Sequence, residues 1–277
     1  MAKKTEVRRE RIVAQAAENG LATVDELARQ FDVTASTIRR DLAQLSESGR
    51  LARTYGGAIA LDPHPESSLR QRAVEGFDAK RSIAKWAAGE VRPGETVLLD
   101  AGTTVGAMGE YLRDSTGLTV IAAGLTALEA LADADDVRVE CLGGTLRHLS
   151  QGFVGPLAEA SLARVSFDRA FLGADAVTAD RGICEAELEQ TRLKELMIER
   201  AGTVYVLAHA AKLGQRPFHA WAPLPEGVTL VTDAGATEEQ VQHFRDAGVT
   251  VVEINYRGST GYGSSWRDAI EGRRDDV

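Results

Sequence analysis

Cysteine is scarce: two residues in 277, Cys141 and Cys184, with no metal-ligand spacing and no partner motif. That argues against a disulfide between them and against a thiolate metal site. Cys141 lies in an apolar run and reads as core; Cys184 sits beside Glu185 and reads as part of a turn. No apolar run approaches the roughly 18 residues of a membrane span, and no signal-peptide stretch follows the basic N-terminus. The expected setting is the reducing cytoplasm, away from membranes. No Gly-x-Ser-x-Gly turn occurs anywhere, so a serine nucleophile has no scaffold. Neither a cofactor nor a metal is implied, and an enzyme is not the expected reading.

The chain is long enough for two domains. Its net charge of −9 is unevenly spread. Residues 1–60 hold 10 Lys+Arg and 8 Asp+Glu, a charge of +2, and the remainder holds 22 and 33, a charge of −11. An acidic body with a slightly basic front should meet a polyanion in one orientation and in a salt-dependent way.

The front sixty residues carry the sharpest pattern. A helix from roughly Thr5 to Glu18 offers Ile12, Val13 and Ala16 to a small core. Val24, Leu27, Ala28 and Phe31 follow the spacing of a one-sided helix, with Thr23 and Glu26 at capping-box distance. Thr34 is a credible N-cap for the next helix, and only Asp32-Val33 separate the two. Stepping about 100° per residue puts Ala35, Ile38, Leu42 and Leu45 on one side of that helix. Ser36, Thr37, Arg40 and Gln44 fall on the other, with Arg39 on the flank. Leu51 to Ala58 reads as two short strands around a basic tip.

Such a helix can lie in a major groove. Arg40 can give a bidentate pair to guanine, Gln44 can do the same for adenine, and Thr37 can meet a thymine methyl or a phosphate. Arg39, Lys3, Lys4 and Arg53 can add phosphate contacts or base readout. The plainer reading is a solvated polar face on a three-helix domain; the two strands that follow weigh against it.

The run Arg11–Ala58, with Thr34-Ala-Ser-Thr-Ile-Arg-Arg-Asp-Leu and Tyr55-Gly-Gly-Ala, closely resembles the winged helix-turn-helix of the DeoR family of bacterial sugar-metabolism regulators. That family usually has serine in place of Thr34 and histidine in place of Tyr55; hydrogen-bonding capacity survives both changes. The resemblance implies double-stranded operator DNA as partner. The expected contact residues are Thr34, Ser36, Thr37, Arg39, Arg40, Gln44, Arg53 and Tyr55.

Residues 61–76, with Pro63 and Pro65, read as a linker. A helix with Ile83, Ala84 and Ala87 at core positions should follow. Then strands alternate with helices: Val97–Asp100, Leu118–Ala122, Val137–Leu142, Arg169–Gly173, Val204–Ala208, Leu230–Asp233 and Val249–Ile254. The expected fold is α/β: an N-terminal winged helix-turn-helix (1–60), then a mostly parallel α/β domain (77–254). Ligands in such sheets bind at the carboxyl ends of strands. There Asp100, Gly102, Thr103 and Thr104 offer a phosphate cradle, and Gly143, Gly144, Gly152, Gly155, Gly173 and Asp175 mark further strand ends. Lys194 and Lys212 are candidate counter-charges, with solvated surface lysines as the plain alternative.

Leu99-Asp-Ala-Gly-Thr-Thr, Leu142-Gly-Gly-Thr, Phe171-Leu-Gly-Ala-Asp, Leu193-Lys194 and Ala211-Lys-Leu-Gly214 look like successive motifs of the family's effector domain, similar in fold to ribose-5-phosphate isomerase. The resemblance implies a phosphorylated sugar effector, held by residues among Asp100, Gly102, Thr103, Thr104, Gly143, Gly144, Gly173, Asp175, Lys194 and Lys212, in a repressor working as homodimer or homotetramer. Two departures bear on the effector's identity. His209-Ala-Ala211-Lys212 stands where the family usually reads Asp-x-Ser-Lys, and Ala122-Ala-Gly124 where threonine and asparagine are common. Two other readings stay open: an isomerase-like enzyme using Asp100, Asp175 or Glu187 as base, and a constitutive regulator with a vestigial pocket. The tail, 255–277, is Gly/Ser-rich and looks like a segment of prolyl-oligopeptidase-type hydrolases; its sequence offers no function.

Overall fold

The computed structural model describes residues 2–19, 22–47, 51–54, 57–60, 66 and 69–255. The chain divides into two units, Met1–Glu66 and Ser67–Val277.

The first unit begins with α1 (Ala2–Asn19), β1 (Ala22–Thr23), α2 (Val24–Gln30) and α3 (Ala35–Glu47), followed by β2 (Leu51–Thr54) and β3 (Gly57–Ala60). Thr23 starts α2 with a capping box: its hydroxyl accepts from Glu26 N at 3.3 Å and its own N–H donates to Glu26 Oε2 at 3.2 Å. Ile12 and Val13 from α1, Leu27 from α2, and Ile38, Leu42 and Leu45 from α3 are buried together. Four residues, Phe31 to Thr34, separate α2 and α3, two more than the sequence suggests, because the C-terminal end of α2 stops at Gln30 and Asp32 turns back at φ 50°. The strands form an antiparallel sheet of order β1-β3-β2, so β1 is a third strand beyond the two expected.

The second unit opens with α4 (Leu69–Val74) and α5 (Phe77–Gly89). Helix α4 lies inside the stretch read as linker. Helix α5 buries Lys80, Ile83, Ala84 and Ala87 at helical spacing. The chain continues through β4 (Thr96–Leu99), α6 (Thr103–Gly106), α7 (Gly109–Leu112), β5 (Leu118–Ala122), α8 (Leu125–Leu131) and β6 (Val137–Cys141). After the hairpin β7 (Thr145–Arg147) and β8 (Gly152–Val154) come α9 (Pro156–Leu162), β9 (Phe167–Leu172), β10 (Ala176–Thr178), β11 (Gly182–Glu185), α10 (Leu188–Arg200) and β12 (Ala201–Leu207). Then follow β13 (Ala220–Ala222), β14 (Thr229–Asp233), α11 (Glu238–Asp246) and β15 (Thr250–Ile254).

Seven of these strands pair in parallel in the order β15-β14-β12-β9-β4-β5-β6, and they are the seven expected from sequence. The strands alternate their side chains between two cores. Val97 and Leu99 face one with Ile83, Met108 and Leu131; Leu98 faces the other with Leu162, Leu193 and Phe244. Chain order reverses between β4 and β9, because β5 and β6 run out one way and β12, β14 and β15 the other. The loops after β4 and β9 must therefore part, which opens a crevice above that pair.

Both cysteine expectations need correcting. Cys141 is exposed, because β6 is an edge strand and its last residue faces outward. Cys184 is not in a turn but buried in the middle of the sheet β10-β11-β13, where its thiol donates to Phe218 O at 3.6 Å. Burial pushes that thiol up to about 11, which makes it a poor nucleophile.

Candidate functional site

Helix α3 owes its orientation to both faces. Ile38, Leu42 and Leu45 are buried, and Asp41, 3% exposed, is clamped by Arg8 Nε at 2.7 Å and Arg9 Nε at 2.8 Å from α1. The sequence reading missed this clamp, since nothing local links positions 32 and 33 residues apart. On the opposite side Ser36, Arg39, Arg40 and Gln44 are exposed, and Thr37 is half-buried. Thr34 caps the helix, its hydroxyl accepting from Thr37 N at 3.3 Å. That oxygen also lies 2.8 Å from Ser36 Oγ and 2.9 Å from Thr37 Oγ1. Three hydroxyls thus form one cluster at the helix start, where N–H groups and the dipole favour an anion such as a backbone phosphate. The side chains of Lys3, Lys4 and Arg53 and the whole of Tyr55 lie outside the described residues.

The crevice between β4 and β9 is a cavity of about 50 Å³, lined by Asp100 and Gly102 from the loop after β4, Thr103 and Thr104 at the start of α6, and Gly173 and Asp175 from the loop after β9. Gly102 holds φ at 129°, a conformation that keeps a side chain off this turn. Lys194 and Lys212 also line the cavity, as do Glu185, Gln190, Ser150 and Arg72. The structure thus gathers eight of the ten sequence candidates. Gly143 and Gly144 lie outside the lining: Gly144, at φ 111°, lets the chain pass close to Val154 O, 2.6 Å from where a Cβ would stand.

Lys194 is neither exposed nor available. It is 6% exposed, and its ammonium donates to Asp100 Oδ2 and to Gly173 O at 2.8 Å and lies 3.1 Å from Glu185 Oε1. An ammonium has three donors, and all three are taken inside the protein. Burial works to lower its pKa, but Asp100 and then Glu185 outweigh it and hold the group above its ordinary value. Burial raises the Glu185 carboxyl to about 7, against the pull of Lys194. Asp100 also accepts from Gly173 N at 2.8 Å, so one carboxylate ties the two parting loops together.

Lys212 is different. Among the described residues it makes no ion pair; its ammonium donates to Ala174 O, and burial lowers its pKa while Asp175 opposes the shift. Arg72, from the supposed linker, pairs with Asp175 Oδ1 at 2.8 Å. Neither Arg72 nor Gln190 was expected from sequence; their helix positions carry no glycine or motif signal. Beside them Lys80 is brought down to about 8 by burial and then by Lys212, and donates to Arg72 O. His209, half-buried, is brought down to about 4 by burial, then by Lys212 and Lys80. Of the three carboxylates weighed as a base, Glu187 lies outside the lining and pairs with Arg147 at 3.0 Å.

Among the described residues no three His, Cys, Asp or Glu are grouped to hold a metal ion, and no helix is long and apolar enough to cross a membrane.

A family model described as the DeoR C terminal sensor domain matches residues 76–234, and one described as the DeoR-like helix-turn-helix domain matches 8–64. A third, the prolyl oligopeptidase family, matches 236–277, a stretch that holds α11 and β15 and continues beyond the described residues. The putative aga operon transcriptional repressor of Escherichia coli O157:H7 is 33% identical over 90% of this chain and 94% of its own length. The HTH-type transcriptional regulator GlpR of Haloferax volcanii is 34% identical over 89% and 96%, and the transcriptional repressor AccR of Agrobacterium fabrum 32% identical over 83% and 90%. Among solved structures, D-ribose-5-phosphate isomerase in complex with phospho-erythronic acid has a TM-score of 0.36 and 18% identity, over 48% of this chain and 52% of that one. With a sensor-domain match over more than half of its length and relatives a third identical along most of it, the chain belongs to the DeoR family of transcriptional regulators.

Proposed function

We propose that this protein is a cytoplasmic repressor of sugar-metabolism genes that binds operator DNA through α3 and is released by a phosphorylated sugar bound in the β4–β9 cavity. The observation that carries the reading is the exposed row Ser36, Arg39, Arg40 and Gln44 on a helix whose other face is buried. Arg40 and Gln44 read base edges; Arg39 and the Thr34–Ser36–Thr37 cluster hold the phosphate backbone. Two copies present two such helices to successive major grooves, about 34 Å apart. In the cavity Lys212, Thr103 and Thr104 take the phosphate, since Lys194 is already neutralised by its two carboxylates. The sugar releases DNA only by favouring the arrangement that does not bind it; a coupling of about 1–3 kcal/mol, roughly fivefold to hundredfold in operator affinity, is typical.

The test is a gel-shift titration of the full chain on an operator selected from random duplex DNA. Arg40→Ala should weaken specific binding by about 1–3 kcal/mol and leave sugar-phosphate binding, read by thermal shift, as in the parent. An unchanged operator affinity would remove α3 from the DNA interface. A phosphorylated sugar that stabilises the protein should also loosen its hold on the operator.

A further inference from the structure

Two acceptor atoms in the cavity wall have no partner among the described residues. Asp175 gives Oδ1 to Arg72, but its Oδ2 is buried with no partner among the described residues, in a side chain only 7% exposed. Gln190, on the first turn of α10, donates from Nε2 to Glu185 Oε2 at 3.1 Å. Above about pH 7, where Glu185 is ionised, that bond fixes the direction of the amide, because a flipped Gln190 would set its oxygen against a carboxylate oxygen. The outcome is that Gln190 Oε1 is also buried and unpartnered. Both residues line the same cavity.

Each orphan is an acceptor: a carboxylate oxygen and an amide oxygen have only lone pairs to offer. A ligand that expels water from them must bring its own donors or leave a buried acceptor unpaired, and sites of that kind reject analogues lacking the matching hydroxyl. The phosphate of a sugar ester helps little, since above its second pKa of about 6 it mostly accepts. The anionic end of a ligand therefore belongs beside Lys212, and its hydroxyl-bearing part beside Asp175 and Gln190.

We propose that Gln190 sets the ligand choice of this cavity, which admits phosphorylated sugars with at least two free hydroxyls, one for Asp175 and one for Gln190, and rejects anions that lack them. This rests on the sensor reading above and adds to it a specificity-determining residue and a donor requirement. Gln190→Met keeps the chain length of the side chain and removes only its polar end.

The experiment is calorimetric titration of the full chain with ribose 5-phosphate, glucose 6-phosphate, fructose 6-phosphate and fructose 1-phosphate, with sulfate, which carries no O–H at neutral pH, as the anion-only probe. The tightest binder is then compared with each of its single-deoxy analogues, in the parent and in Gln190→Met. The parent should prefer the full sugar phosphate over sulfate and over one or more deoxy analogues by at least tenfold. Gln190→Met should weaken the full sugar about tenfold and leave one deoxy analogue within twofold of its parent affinity, because that analogue never used Gln190. Melting temperature without ligand separates this from misfolding, and Gln190→Asn, which keeps the acceptor on a shorter arm, provides a second variant with partial loss. Equal weakening of every analogue, or none, overturns the role of Gln190. Binding of sulfate as tight as any sugar overturns the donor requirement while leaving an anion sensor intact. If no probe binds at all, the sensor reading falls first, and this inference with it.

Discussion

The two units use charge in opposite ways. On α3 the chemistry-bearing residues, Ser36, Arg39, Arg40 and Gln44, stand exposed, and the one buried charge, Asp41, is a fastening to α1. In the cavity of the second unit the charged residues are buried and mostly committed to one another: Lys194 to Asp100 and Glu185, Arg72 to Asp175. A surface that meets a long polyanion needs donors that remain hydrated until contact. A pocket for a small ligand must keep its walls in place without water, and internal pairs do that at the cost of leaving few groups free.

The largest effect that would sharpen this contrast is expected at Lys194. Lys194→Met leaves two buried carboxylates without their cation, and breaking a buried network of this kind costs about 3–5 kcal/mol. Calorimetric melting of the full chain should show the second unit unfolding at much lower temperature, with partial recovery in Lys194→Met/Asp100→Asn. A loss below about 1 kcal/mol would mean the cluster behaves as a surface ion pair. Next comes Asp41→Asn, which strands two arginines that are 17% and 25% exposed and so can rehydrate; the loss should be smaller, about 2 kcal/mol. Hydrogen exchange should place that loss in α1–α3 and nowhere in the parallel sheet. Exchange spreading into both units would end the separation drawn here.

The smallest effect concerns pH. The folded pKa of His209 lies below its ordinary value, so the stability tied to its neutral form is present above about 6.5 and is lost as pH falls through about 4. His209→Gln should flatten that acid limb by about 1–2 kcal/mol, allowing for solvent screening of a half-buried ring. Chemical denaturation at several pH values between 7 and 4 reads the difference. An acid limb identical to the parent's would mean that the carboxylates govern it.

What could be read in advance follows from how far each signal reaches along the chain. The buried face of α3 and the seven parallel strands were legible, because a helix or strand shows its inner side within a few residues. The carboxyl-end loops were legible for the same reason: Asp100-Ala-Gly102-Thr-Thr104 is a local turn. Lys194 reads as a ligand counter-charge, with a surface lysine as the alternative, and not as a buried ion pair, because its partners lie on other elements, with Asp100 94 residues away. Arg72 was hidden inside a stretch whose prolines suggested a linker, and Cys141 misled because an apolar run does not say whether its strand is at the edge. Gln190 had no signal at all; its meaning comes from Glu185 and from an oxygen left unserved.

The reversal of strand order at β4 and β9 has a bearing on how such a chain can change. The polar residues Asp100, Thr103, Thr104, Asp175, Gln190 and Lys212 that line the cavity sit in loops or at helix ends, and none of them belongs to the two apolar cores. Substitutions at positions such as 103 or 190 can therefore retune what is recognised while the sheet keeps its packing. A scaffold arranged in this way can answer a new metabolite by altering a handful of rim residues, with no call for a new fold.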